Sequence, residues 1–126
     1  MQLNYKKLIE LGARCTKAPA WRWEPGMKTL TGARVLDIEK DTGIIWAASY
    51  KDKLFELDLT TETPDLSDSA TRGCIVTLIR ERLKSPSAST TLIAGSWLIS
   101  MGTILLIDIG YNTEEEAITS ALQDDT

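Results

Sequence analysis

Two aspartates three residues apart in this 126-residue sequence could act together in metal binding or acid–base catalysis. Asp65 and Asp68 lie in the segment PDLSDSATRGC, residues 64–74. A pair of carboxylates can hold Mg²⁺ or exchange protons with a substrate. The same residues also suit the start of a helix, because an aspartate before an apolar helical pattern is a good N-cap. We favour capping, and the alternative is an enzyme that acts through Asp65 and Asp68.

Other residue types that support catalysis or cofactor binding are scarce. The sequence has no histidine, which is the commonest general base and transition-metal ligand. Cys15 and Cys74 lack metal-type spacing and are expected to be buried thiols of a cytosolic protein, although a disulfide between them is left open. No glycine-rich nucleotide motif or Gly-x-Ser-x-Gly is present. We therefore predict a non-enzymatic protein with no catalytic residue, metal or cofactor.

The segment AWRWEPGMK, residues 20–28, is the main candidate for binding a partner. In an extended chain the indoles of Trp21 and Trp23 stack on one side and Arg22 points to the other. Tryptophan and arginine are enriched in the energetic centres of protein interfaces, which makes Trp21, Arg22, Trp23 and Glu24 the candidate partner-binding residues. The alternative is that both indoles cover a sheet edge or the first helix, before Pro25 and Gly26 turn the chain.

Charge is unevenly distributed along the chain, although the net charge is only −4. Residues 1–36 carry a net charge of +5 and residues 37–68 carry −6. Residues 69–112 carry +2 and the remainder carries −5. This distribution favours a protein partner of mixed charge and argues against general nucleic-acid binding, which usually needs a basic stripe. Mimicry of DNA by the acidic block is left open.

Three helices are predicted from apolar spacing and capping residues. The first covers residues 3–15, where Asn4 is a candidate N-cap and Gly12 either ends or weakens the helix. The second covers residues 69–84 after Asp68, and close packing against a strand or an indole would explain its Gly73. A third opens near residue 112 with the capping-box pattern of Thr113 and Glu116.

The three acids at this last helix start, Glu114 to Glu116, are expected to be solvated. Strand-like patterns occupy most of the remaining chain. The alternation of Phe55, Leu57 and Leu59 with acids predicts a sheet with one wet face. The predicted strands are 27–30, 33–39, 44–49, 53–59, 91–100 and 103–109.

The order of these elements predicts one α+β domain over residues 1–126, whose last few residues fray. Its antiparallel sheet of about five to six strands is packed by two or three helices. The strand near 103–109 is a candidate edge, and such an edge permits homo-oligomer formation across a two-fold axis.

A membrane span is not expected. Residues 85–107 carry no charge, but the strongly apolar part, 92–107, has only 16 residues. A spanning helix needs about 20 residues. The N-terminus has no apolar core of a signal peptide. Buried strands are therefore the prediction for this segment.

Three motifs occur in a fixed order and carry a resemblance that covers most of the chain. They are WRWEPGM at 21–27, PDLSDSATRGC at 64–74 and GYNTEEEAITSAL at 110–122. Together they resemble a group of small proteins encoded by bacteriophages and prophages. The group usually has proline where this chain has Ser69. Because proline is favoured at the first position of a helix, this supports a helix start after Asp68. No catalytic residues are assigned in the group, so none carries over.

The resemblance implies a phage accessory protein that acts in the cytoplasm of a bacterial host. With no catalytic motif and a small chain, we expect function through protein–protein binding. The most concrete form is an inhibitor of a bacterial defence system such as CRISPR, whose partner is a host protein. Two alternatives stay open. One is a protein that sequesters a small ligand or nucleotide, and the other is a virion or assembly protein.

Overall fold

A computed structural model describes residues 4–49, 53–101, 104–105 and 111–123. The described residues form three helices and six strands, which confirms the α+β class. In chain order the elements are α1 (Tyr5–Thr16), β1 (Arg34–Ile38), β2 (Ile45–Ala48), β3 (Leu54–Glu56), α2 (Ser69–Leu83), β4 (Ala88–Ile93), β5 (Ser96–Met101), β6 (Ile104–Leu105) and α3 (Glu114–Gln123).

All three helices begin at the residues that the sequence indicates. The Asn4 side chain accepts a hydrogen bond of 2.8 Å from the Lys7 amide at the start of α1. Asp68 accepts a bond of 3.0 Å from the Thr71 amide at the start of α2. At α3 the Glu116 amide donates to Thr113 Oγ1 at 3.2 Å. Each bond satisfies an amide that the first helical turn leaves without an internal partner, so the start is determined locally.

The strands are divided between two sheets, so the single sheet of five to six strands is not confirmed. The N-terminal sheet has the order β1-β2-β3 and the C-terminal sheet has the order β4-β5-β6, with antiparallel pairing throughout. The predicted strand at 27–30 contributes only isolated bridges from Lys28 to Arg34 and from Thr29 to Pro64. Most of the predicted strand 103–109 lies outside the described residues.

The predicted strand 91–100 is wrong, because a tight turn cuts it into β4 and β5. Ala94 and Gly95 both have positive φ, 51° and 81°, and they connect the paired residues Ile93 and Ser96. Two central residues with positive φ are the geometry that joins twisted antiparallel strands in a two-residue hairpin. Asparagine or aspartate usually occupies the first of these two positions, but this chain has Ala94 there. The sequence pattern therefore did not predict the turn.

The helices pack around α3, which contacts α1, α2 and the C-terminal sheet. A single cluster of buried side chains includes Leu11 of α1, Ile79 of α2, Ile118 of α3 and Val35 of β1. Arg34 of β1 reaches Asp68, the N-cap of α2, and so ties the N-terminal sheet to the helices. A common buried core and this ion pair, rather than a shared sheet, therefore hold the two sheets in one molecule.

Gly12 lies within α1 and does not end it. A Cβ at Gly12 would lie 2.8 Å from the Pro64 carbonyl oxygen and would also collide with the Thr63 methyl group. Glycine therefore allows α1 to approach the loop before α2. The expectation for Gly73 is wrong: it is exposed, and a Cβ there would meet no atom within 4 Å.

The two cysteines are free thiols in different surroundings. Cys15 is fully buried and lies 3.5 Å from Thr119 Oγ1. Its burial raises the pKa of the thiol to about 11, which outweighs the opposing hydrogen bond from Thr119. Cys74 is half-buried. Within the described ranges, no helix is both long enough and apolar enough to cross a bilayer.

A candidate protein-binding groove

The segment that carries the two tryptophans borders a groove of about 570 Å³ on the N-terminal sheet. One wall is formed by residues 22–25, and the other by Asp37, Ile38 and Lys40 at the end of β1. Ile45 and Leu59 complete the lining. The Gly26 amide donates a hydrogen bond of 2.9 Å to the Val35 carbonyl and so joins the two segments that form these walls. The groove therefore brings residues 22–24 of the predicted segment next to Asp37 of β1.

The two indoles serve mainly as an anchor for this wall. Trp23 is 7% exposed and belongs to the core cluster, while Trp21 is half-buried against it. The rings contact each other edge to face, with centroids 5.4 Å apart and planes at 80°, rather than stacked in parallel. Trp23 still lines the groove, so it offers part of its surface to the opening while the rest of the ring is enclosed.

Arg22 is the exposed member of the candidate set, and Glu24 is partly exposed. The Arg22 guanidinium donates to Glu81 on α2 at 2.8 Å and also contacts Glu24. The pKa of Arg22 is raised, first by the hydrogen bond to Glu81. About half of each side chain in the Arg22–Glu81 pair is exposed, so we expect little net stabilisation from it. Its effect is to hold the groove wall against α2.

Leu59 lines the groove. The alternating pattern with Phe55 and Leu57 predicts instead that it lies on the buried side of a strand. Strand β3 ends at Glu56, Leu57 is buried, and Leu59 is 51% exposed in a turn. Asp58 starts this turn by accepting hydrogen bonds from the Thr60 amide at 3.0 Å and the Thr60 hydroxyl at 2.7 Å. An aspartate that bonds the backbone two residues later is a known turn signal, and it could have indicated the strand end.

A second recess of about 390 Å³, here called the cleft, adjoins the groove. Its lining comprises residues 42–45 and 56–59. Ile45 and Leu59 line both the groove and the cleft, so the two recesses share an apolar boundary. Glu56 and Asp58 border the cleft. Hydrogen bonds from Thr60 lower the pKa of the fully exposed Asp58.

The aspartates considered for catalysis have structural partners. Asp65 accepts from the Ser67 amide at 3.0 Å and lies 3.9 Å from the Lys28 ammonium. Asp68 receives two bonds from the Arg34 guanidinium, at 2.7 and 3.2 Å. It also caps α2 through Thr71. These contacts agree with the favoured capping interpretation. In the described part of the chain, no three Cys, Asp or Glu side chains are grouped to hold a metal ion.

Replacing Asp68 with alanine should lower the free energy of unfolding by about 1–2 kcal/mol through loss of the cap. Partial burial acts to raise the pKa of Asp68, but the bonds from Arg34 and Thr71 outweigh it and the pKa is lowered. Because the folded pKa is the lower one, the charged form stabilises the fold above the unfolded pKa of about 4. This contribution should fade as the pH falls through and below that value.

The matched variant for this prediction is Asp68→Asn, which keeps a capping oxygen and removes the charge. Urea unfolding at neutral pH and near pH 3 measures the difference between wild type and Asp68→Asn. We expect the wild type to be more stable at neutral pH and the gap to narrow in acid. A gap that is constant with pH would show that the Arg34–Asp68 charge pair does not stabilise the fold.

The acids at the start of α3 are not simply solvated, contrary to expectation. Arg72 of α2 donates to Glu114 at 2.7 Å and lies 3.6 Å from Glu115. Thr90 of β4 donates to the other Glu114 oxygen. Burial raises the pKa of Glu115, although Arg72 opposes this effect. The acidic start of α3 therefore joins α2 and the C-terminal sheet to the last helix.

No protein-family model, curated protein or solved structure matches this chain.

Proposed function

We propose that this chain is a phage-encoded accessory protein that binds a host protein in the bacterial cytoplasm and does not act as an enzyme. The observation that carries the proposal is the open groove that Leu59 and Ile38 line together with Trp23 and Pro25. The centre of a protein interface typically combines exposed apolar side chains with a rigid aromatic anchor. The biological setting of the proposal comes from the resemblance of the three motifs, in their order, to phage and prophage proteins.

The finer form of this proposal is inhibition of a bacterial defence system such as CRISPR. A protein with this groove would act sterically, by covering a functional surface of its target. Trp23 is buried in the core and fixes the wall to which Arg22 and Glu24 belong, so the site is pre-organised. Pre-organisation reduces the entropy lost on binding and favours a tight inhibitor.

Site-specific photo-crosslinking tests the proposed surface directly. A photoreactive phenylalanine analogue at Leu59 should crosslink to one host protein in infected cells. The same analogue at Tyr5 of α1, which is 60% exposed and lies outside the groove lining, is the matched control. Identical products from both positions, or no product from position 59, would contradict the proposal. The identified target then allows its defence activity to be assayed with and without this protein.

Substitution of Leu59 by serine should lower recovery of that target at least about tenfold, because a central apolar contact is lost. Stability should change by no more than about 0.5 kcal/mol, since Leu59 is largely exposed. The control is Leu54→Ser on β3, which is 59% exposed and lines neither recess. Co-purification and thermal unfolding of both variants measure the two effects. Equal loss of the target in both variants would place the interface elsewhere.

A further inference from the structure

Strand β4 is an outer strand of the C-terminal sheet, because the order β4-β5-β6 places only β5 beside it. Its six residues face six residues of β5 in an unbroken antiparallel register. In such a pair, alternate residues direct their backbone N–H and C=O groups toward the neighbouring strand or away from it. One set of β4 backbone groups therefore points outward, away from β5.

The pairing on the far side of β5 identifies the outward set. The Trp97 amide donates to the Tyr111 carbonyl at 2.8 Å, and the Tyr111 amide donates to the Trp97 carbonyl at 3.0 Å. Trp97 thus directs its backbone groups away from β4, so Leu92, which faces it, directs its own away from β5. Thr90 and Ala88, two and four residues earlier, alternate in the same way and also point outward.

The free part of this edge has a boundary at each end. The Ala88 amide donates to the Ser85 carbonyl at 3.3 Å, and the Ala88 carbonyl accepts from Arg80 Nε at 2.7 Å. These bonds use the outward groups of Ala88 inside the molecule. At the other end, the chain leaves the strand in the turn at Ala94 and Gly95. The free edge therefore consists of residues 89–93.

This free edge has none of the usual protection against pairing with another chain. Among the residues that the structure describes, no hydrogen bond outside the strand ladders uses the backbone groups of Thr90 or Leu92. Leu92 and Ile93 are also 55% and 44% exposed. Proteins usually protect an edge strand with charged side chains, proline or a bulge. β4 has none of these, so its edge is open to another β-strand.

The symmetry of the free edge indicates which strand fits. Ala88 and Ala94 bound it three residues on either side of Thr91, and Thr90 and Leu92 lie one residue on either side. A second copy related by a two-fold axis at Thr91 places Thr90 opposite the partner's Leu92, and Leu92 opposite the partner's Thr90. Each of these two pairs can exchange two hydrogen bonds. The same surface on both copies is what a closed two-fold interface requires.

Charge favours contact between two copies at this edge over contact elsewhere. Each copy carries a net charge of −4, which makes two copies repel each other. Residues 85–107 contain no charged side chain, so repulsion is weakest where their strands meet. Pairing would also place the exposed Leu92 and Ile93 against the partner strand. The edge thus suits a second copy of this chain.

We propose that two copies associate by antiparallel pairing of β4 across a two-fold axis at Thr91. The two C-terminal sheets then form one continuous sheet of six strands. Because only residues 89–93 pair, we expect an interface smaller than the roughly 1,200–2,000 Å² of stable complexes, and monomer–dimer exchange at micromolar concentrations. This contact does not depend on the proposed function, since the groove lies on the N-terminal sheet.

A cysteine at the two-fold axis tests this geometry. Facing residues of a non-hydrogen-bonded antiparallel pair have Cα atoms about 4.5 Å apart, a separation that a disulfide can span. Thr91→Cys, in a Cys74→Ser background, should therefore form a disulfide-linked dimer under mild oxidation of the purified protein. Ile93→Cys is the matched control: it is more exposed, but pairing would separate the two copies of residue 93 by about 13 Å.

Linkage of Ile93→Cys as fast as that of Thr91→Cys would overturn the inference. So would a Thr91→Cys protein that, oxidised in bacterial lysate, forms its disulfide with another protein instead of with itself.

Proline at position 92 tests the backbone hydrogen bonds. The Leu92 N–H points away from β5, so Leu92→Pro removes an edge donor without removing a bond of the β4–β5 ladder. Sedimentation at micromolar concentrations should show the wild type passing from monomer to dimer. Leu92→Pro should weaken dimerisation at least about tenfold, because two of the four intermolecular hydrogen bonds are lost. Leu92→Ser keeps the N–H and should have a smaller effect.

Circular dichroism of both position-92 variants checks that they fold. A wild type that stays monomeric at these concentrations, or a folded Leu92→Pro protein that dimerises as tightly as the wild type, would overturn the inference.

Discussion

Replacing Trp23 with alanine should lower the free energy of unfolding by about 3–5 kcal/mol, as expected for deletion of a buried tryptophan. Trp23 is 7% exposed and packs in the cluster that joins the helices to the N-terminal sheet. Its edge-to-face contact with Trp21 would be lost as well, which is worth about 0.5–1.5 kcal/mol of that total. Chemical denaturation followed by circular dichroism measures the change.

The neighbouring substitution Arg22→Ala is the control. Arg22 is largely exposed, and removal of its surface ion pairs should cost no more than about 1 kcal/mol. A Trp23→Ala protein of nearly wild-type stability would mean that the indole is not part of the core. In that case loss of partner binding in Trp23→Ala could be assigned to direct contact. With the buried indole, Arg22 and Leu59 are the better positions for testing binding.

Alanine at Gly12 and alanine at Gly73 should change stability in opposite directions. Alanine favours a helix over glycine by about 1 kcal/mol at either position. At Gly12 the new methyl group would press on the Pro64 carbonyl at 2.8 Å and on Thr63. Overpacking of this kind costs about 1–3 kcal/mol. Because backbone must move, we expect the upper part of that range and a net loss of about 2 kcal/mol.

Gly73 provides the matched comparison within the same molecule. A methyl group there meets no atom within 4 Å, so Gly73→Ala should gain about 0.5–1 kcal/mol. Thermal or urea unfolding of both variants gives the two signs. A gain in stability at Gly12 would show that α1 does not approach the loop at Thr63 and Pro64 as closely as described.

Substitutions at Gly12 and Gly73 should also differ in their effect on the groove. Pro64 lies in the loop between the turn at Leu59 and the N-cap of α2, and it forms an isolated β-bridge with Thr29. The approach of α1 to Pro64 therefore supports the segment from which Leu59 projects. An alanine at Gly12 that moves α1 away from Pro64 should therefore disturb the groove through the loop between Leu59 and Pro64. Alanine at Gly73 should leave the groove unaltered.

The sequence alone determined the features that depend on neighbouring residues. The helix starts at Asn4, Asp68 and Thr113 were predictable, because each cap bonds an amide three residues away. The α+β class followed from alternating and helical apolar spacing. The segment of Trp21 to Glu24 was also recognisable as unusual, although its pattern favoured an anchor and left a binding surface open.

Tertiary structure decided the features that depend on distant residues. The division into two sheets and the role of Gly12 arise from contacts between segments far apart in sequence. Which acids of residues 37–68 are paired with a cation was decided by the fold, which places Asp65 and Asp68 beside Lys28 and Arg34. Local patterns give a residue's preference, but burial and charge neutralisation depend on which other segment packs against it.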